Sequence, residues 1–173
     1  MKRLGLLKRI KKRVPISSLL TIAEGIFNSK IRYGICVYLK PTFEREDVKT
    51  ETLSEGMRQL QTHQNHMLRM VFGHSINDHV NMKKLREKIK MFSVNQMTIY
   101  HTLLEAYNVV NKTSSEKIQE LWSDPREQPY SLRSVTNNDL KVPRQPKLKA
   151  QGFSYFAPKL YNMLPTTIIQ RAF

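Results

Sequence analysis

The chain has 173 residues and a mass of 20.3 kDa, room for one domain or one domain with a tail. Twenty-nine Lys and Arg face 14 Asp and Glu, giving a net charge of +15 and a pI near 10.1, so polyanions lead the expected partners. A mean hydropathy of -0.48 argues against an integral membrane protein, and a single cysteine, Cys36, excludes an internal disulfide.

The charge is uneven. Residues 1–40 carry a net +9, residues 41–55 a net -3, residues 56–92 +5, residues 93–124 -2 and residues 125–173 +6. Lys2, Arg3, Lys8, Arg9, Lys11, Lys12 and Arg13 form the densest patch, with no acid before Glu24. In chain order, Leu6, Leu7, Ile10 and Val14 fall on one stripe at helical spacing, and Lys8, Arg9, Lys12 and Arg13 fall elsewhere on the turn. Pro15 ends this helix, because its ring disfavours helical geometry at Val14. Ser17 is the expected N-cap of the next helix, whose apolar face is Leu19, Ile22, Ala23, Ile26, Phe27 and Ile31. This stretch is too short and too polar to span a bilayer of about 30 Å. Residues 35–39 are compatible with a helical extension or a short buried strand, and Pro41 terminates either.

The acidic stretch 41–53 reads as a loop. From Ser54 a third helix runs on Met57, Leu60, Gln64, Met67, Leu68 and Val71, and Gly73 stands where a left-handed C-terminal residue is expected. A shorter helix follows on Met82, Leu85, Ile89 and Phe92. Ser93 and Gln96 then form a capping box. The helix it opens, 94–111, should be central to the core. Its expected apolar half holds Met97, Ile99, Tyr100, Leu103, Leu104, Ala106, Tyr107 and Val110, and its expected polar half Thr98, His101, Thr102, Glu105 and Asn108. A short helix is expected over Glu116–Trp122. Prolines at 125, 129, 143 and 146 then break the pattern, leaving 125–173 as an extended basic tail with Leu132–Val135 as a short strand. Phe153 to Pro165 is aromatic and should dock as a short helix. The expected fold class is therefore all-α: a basic helix pair over 1–40, an acidic loop over 41–53, a helical bundle over 54–124, and the tail.

Catalytic and metal chemistry find little support in the sequence. The four aspartates, Asp47, Asp78, Asp124 and Asp139, are never paired, and no glycine-rich phosphate cradle is present. His63 and His66 lie three apart on a helix, followed by His74 and His79, but no cysteine or carboxylate completes a zinc spacing. Cys36 sits in an apolar run, where a thiol behaves as a small hydrophobe. His101 and Glu105 make an i, i+4 pair that could serve as a general base and its orienting group, but no nucleophile is identifiable. No metal site, cofactor or small-molecule substrate is expected.

The cationic start allows several readings. It could neutralise several phosphates and release their counterions, or bind an anionic membrane or an acidic protein partner. The run Lys8–Arg13 also suits nuclear import, so an intracellular location in nucleus or cytoplasm is expected. A secretory signal is excluded by Glu24 and the lack of a cleavage site; a mitochondrial presequence fits better, being basic, amphipathic and free of acids, but the first 15 residues lack the usual serine enrichment.

Three stretches carry a resemblance. Leu4 to Leu39, with Leu6-Leu7-Lys8-Arg9-Ile10, Pro15, Ser29-Lys30 and Tyr33-Gly34, resembles the segment after the palm of non-LTR retrotransposon reverse transcriptases, where it forms thumb helices. Gln61 to Gly73, with Gln64, Leu68-Arg69 and Phe72-Gly73, is similar to the helix that follows there, and Ser93 to Met97 to a further segment of that region. Gly152 to Pro165, with Ala157-Pro158-Lys159-Leu160-Tyr161-Asn162, resembles their C-terminal aromatic motif, in which Trp usually stands at the position of Tyr161. The resemblance implies a thumb-like grip on the template–primer backbone by Lys8, Arg9, Lys12, Arg13, Lys30 and Arg32. Lys2, Arg3 and Lys11 complete the set of cations expected to meet nucleic acid. It also implies no catalysis, because the palm and the paired aspartates that hold two metal ions in such polymerases have no counterpart in this sequence.

Overall fold

The structure is a computed structural model that describes residues 2–41, 54–119, 140, 142, 152–165 and 167. Its described residues are all-α, with eight helices and no strand: α1 (Lys2–Ile10), α2 (Ile16–Arg32), α3 (Ile35–Tyr38), α4 (Glu55–Phe72), α5 (Met82–Lys88), α6 (Val94–Val110), α7 (Glu116–Gln119) and α8 (Phe153–Tyr161). Most of the acidic loop, residues 120–122 of the expected short helix, the expected strand at 132–135 and most of the tail lie outside the described residues.

The chain forms two compact units, Met1–Ile35 with Thr42–Met97, and Cys36–Pro41 with Thr98–Phe173. In the first unit α1, α2 and α4 pack together. Leu7, Leu19, Ala23, Met67, Leu68, Val71 and Met91 form the buried centre, with Ile10, Val14, Ile26, Phe27, Leu85 and Ile89 against it. Each fully buried Leu or Met contributes about 1.5–3 kcal/mol relative to exposure. Ala23 is fully buried, so its small side chain marks a tightly packed point of α2.

Local signals shape the helix ends. Ser54 caps α4 by accepting the Met57 N–H at 3.4 Å, and Gly73 ends it at φ 81°, with the His74 N–H donating to the Arg69 carbonyl at 2.9 Å. Both arms of the capping box form: Ser93 N–H donates to Gln96 Oε1 at 2.9 Å and Gln96 N–H to Ser93 Oγ at 3.2 Å. Asn81 caps α5 by accepting the Lys84 N–H at 3.1 Å.

Other local expectations fail. Ser17 is not the N-cap of α2: the helix begins at Ile16 behind Pro15, with no side-chain cap. Proline at the N-cap position, at φ -54° and ψ 150°, starts the helix one residue before Ser17, which therefore lies inside its first turn. Ile22 is 37% exposed instead of facing the core. Residues 35–38 form neither an extension of α2 nor a strand, because Gly34 at φ 74° breaks the chain direction and a separate single turn follows. Phe92 lies beyond α5 and is 51% exposed.

A buried polar network ties α4 to the α5–α6 connection. Gln64 is fully buried, donates to the Phe92 carbonyl at 2.8 Å and accepts from Gln61 Nε2 at 2.7 Å. Gln61 Oε1 accepts the Val94 N–H at 3.0 Å, and Arg86 donates to Asn65 Oδ1 at 2.8 Å. These glutamines serve as partners for backbone groups that the connection would otherwise bury unpaired.

In the second unit Ala106, Ala157 and Tyr161 form the centre, flanked by Val110, Leu140, Phe153 and Leu164. The aromatic segment docks as α8, as expected, with Phe156, Ala157, Pro158, Leu160 and Tyr161 buried. Asn162 then clamps residue 140, donating to its carbonyl and accepting its N–H, each at 2.8 Å. Burial raises the Tyr161 phenol above its ordinary pKa, with Tyr107 adding to the effect.

α6 is the main correction to the expected faces. Thr98 and Thr102, assigned to the polar half, are buried at 0% and 1%, whereas Tyr100, Leu104 and Tyr107 are 50%, 42% and 41% exposed. The buried stripe runs through Val94, Met97, Thr98, Thr102, Ala106 and Val109, so the helix is rotated from the expected face toward its smaller side chains.

Candidate nucleic-acid interface

The N-terminal cations are held by a helix whose other face is locked into the first unit. Leu7 is 1% exposed within the core, while Lys8 and Arg9 in the last turn of α1 and Lys12 and Arg13 just beyond it are exposed. The turn is closed by Lys11 N–H to the Leu7 carbonyl at 3.0 Å and Arg13 N–H to the Ile10 carbonyl at 2.9 Å. Four like charges within six residues repel one another. Their place at a helix C-terminus offsets part of that cost, because the helix dipole favours each nearby cation by about 0.3–1 kcal/mol. None of the four forms an ion pair with a described carboxylate.

Lys11 behaves differently from its neighbours. It is half-buried, and its ammonium donates to the Met70 carbonyl at 2.7 Å. That carbonyl is in the last turn of α4, where the Gly73 N–H also reaches it, at a longer 3.4 Å. A Cβ at Gly73 would lie 3.2 Å from the same ammonium, so the glycine leaves room for the lysine. Lys11 therefore fastens α1 to the C-terminal end of α4, a role that only the packing of α1 against α4 reveals.

Lys30 and Arg32 are also exposed, in the last turn of α2. They are not gathered with the first four. At 1.5 Å per residue, Lys30 lies about 21 Å along α2 from Ile16, where the chain leaves the α1 turn. The two groups belong to different elements, the first to α1 and the turn after it and the second to the end of α2. Lys2 and Arg3 belong to α1, but their side chains lie outside the described ones.

The other candidates resolve into structural roles. Arg69 donates to the carbonyls of Ser75 and Asp78, both at 2.8 Å, and Asp78 accepts the Ser75 N–H at 2.6 Å, which folds the α4–α5 loop. His74 stands 3.9 Å from the Asp78 carboxylate. His63 is half-buried and His66 and His79 are exposed; among the described residues no three His, Cys, Asp or Glu side chains gather as metal ligands. Glu105 accepts the Ser114 hydroxyl at 2.6 Å, and the His101 ring packs edge-on against Tyr100 at 5.2 Å. Cys36 is half-buried, and burial, with a smaller contribution from Glu105, pushes its thiol pKa up, which suppresses nucleophilic thiolate. Among the described residues, no helix is long and apolar enough to cross a membrane.

Comparison with protein-family models, curated proteins and solved structures returns no match for this chain.

Proposed function

We propose that this chain is a non-catalytic, nucleic-acid-binding helical module, related to the thumb and C-terminal region of non-LTR retrotransposon reverse transcriptases. Lys8, Arg9, Lys12 and Arg13 grip the phosphate backbone, and Lys30 and Arg32 extend the contact along α2. The observation that carries this reading is the placement of four exposed cations, without a described acidic partner, on a helix end anchored by buried Leu7 and by the Lys11 bond to Met70. A rigid cationic ridge of this kind suits the regular charge of a duplex, about one per 1.7 Å of axis, and reads no sequence.

The test is binding of a duplex of about 20 base pairs at two salt concentrations. Six neutralised phosphates, one for each of these cations, give a slope of log K against log salt of about -5.4, so affinity should fall about 1,800-fold between about 50 and 200 mM. Replacing Lys8, Arg9, Lys12 and Arg13 together by Gln should remove most of the slope while preserving the helical signal. Absence of binding at the lower salt would end the proposal, as would primer extension by the isolated chain for its non-catalytic part.

A further inference from the structure

The second unit brings Lys40 to three residues of α8 that lie more than a hundred positions away in the sequence. Lys40, beside the buried Pro41, places its ammonium 5.2 Å from the centre of the Phe156 ring. Lys159 places its own 5.9 Å from the centre of the Tyr155 ring. The two rings pack edge to face, with centroids 5.3 Å apart and planes at 85°. Phe156 is buried at 4% exposure and so fixes the pair to the core, whereas Tyr155 is half-exposed and both lysines are exposed.

Each of these features has a consequence for ligand choice. A cation above an aromatic face is attracted by the ring quadrupole, which limits where a long lysine side chain wanders. Two ammonium groups are thereby held around one aromatic pair. Lys40 makes no ion pair with a described carboxylate. Cations set among aromatic rings suit a ligand with both phosphates and flat bases. Duplexes hide their base faces, but single strands expose them, and base–aromatic stacking tolerates any sequence.

We propose that Lys40, Tyr155 and Lys159, braced by Phe156, form a contact site for single-stranded nucleic acid. The lysines take successive phosphates and the Tyr155 ring takes a base. This site is distinct in its residues from the cationic end of α1, and it stands or falls independently of the duplex grip.

The experiment uses the full chain and fluorescent single strands of about 12 nucleotides, oligo-dT and oligo-U, with anisotropy read across a salt series. Each neutralised phosphate on a single strand contributes about 0.7 to the salt slope, so Lys40→Gln with Lys159→Gln should make it shallower by about 1.4. Tyr155→Leu should weaken binding about fivefold or more, while Tyr155→Phe, which keeps the ring, should bind as the parent does. Far-UV circular dichroism confirms that each variant is folded, and the phenylalanine variant separates stacking from loss of packing. Both effects should persist in the Lys8, Arg9, Lys12 and Arg13 to Gln background, which tests the α1 grip separately through duplex binding. An unchanged slope in the double lysine variant, or equal affinities for Tyr155→Leu and Tyr155→Phe, overturns the proposal. So does loss of binding to anionic phosphatidylserine vesicles in the lysine variant with single-strand binding intact, which would assign the cluster to a lipid surface.

Discussion

Replacing Lys11 distinguishes a cation that holds the fold from cations that face solvent. Its ammonium donates to the Met70 carbonyl at 2.7 Å, at the end of α4 where the helix dipole concentrates partial negative charge. A hydrogen bond involving a charged group contributes about 1.5–3 kcal/mol, and half-exposure at this site favours the lower end. Lys11→Met keeps much of the aliphatic stem and removes the donor, so it should cost about 1.5 kcal/mol. Lys12→Met, at an exposed neighbour, should stay within about 0.5 kcal/mol of the parent. Urea unfolding followed by circular dichroism measures both, provided that the denaturant slope is unchanged. Duplex binding should invert the order: Lys12→Met should make the salt slope shallower by about 0.9, and Lys11→Met should leave it unaltered. If Lys11→Met is as stable as the parent and makes the slope shallower, Lys11 is a backbone contact and the α1–α4 fastening is wrong.

Gln64→Leu keeps the size of the side chain but removes the bond to the Phe92 carbonyl and the acceptor nearest the Gln61 amide, which keeps Asn65 Oδ1 at 3.2 Å. Losing a buried hydrogen-bond partner costs about 1–3 kcal/mol, so destabilisation in that range is expected, and less than about 0.5 in chemical denaturation would show that the network contributes little. Cys36 should react with iodoacetamide at pH 8 more slowly in the native chain than in the urea-unfolded one, because burial raises its thiol pKa above the ordinary 9.0. The sign follows for stability: a raised folded pKa favours the fold while the thiol is protonated, and this contribution is lost as pH rises above the ordinary value and through the folded one. Equal alkylation rates in the two states would refute the burial of this thiol.

Much of the secondary structure was legible in the chain because its signals are local. Ser54, Gly73 and the Ser93–Gln96 pair satisfy backbone groups at most five residues away, so spacing alone locates the helix ends. The apolar stripe of α1 and the aromatic segment that becomes α8 were readable for the same reason. Ser17 shows where such reasoning breaks down: two local signals competed, and proline at 15 set the helix start without the hydroxyl.

The all-α class, the capped ends at Ser54, Gly73 and Ser93 and the cationic run at 8–13 were determined by the sequence itself, because each depends on neighbours within a turn or two, whereas the first helix, expected to run to Pro15, ends at Ile10. Only the tertiary structure decided which side of α6 is buried, since the stripe that packs passes through Thr98 and Thr102 and leaves Tyr100, Leu104 and Tyr107 partly exposed. It also singled out Lys11 from its neighbours by placing it 2.7 Å from a carbonyl 59 residues away. The meeting of Lys40 with Phe156 belongs to the same category. Interactions over such separations depend on how whole helices pack, and no periodicity in a short window encodes that.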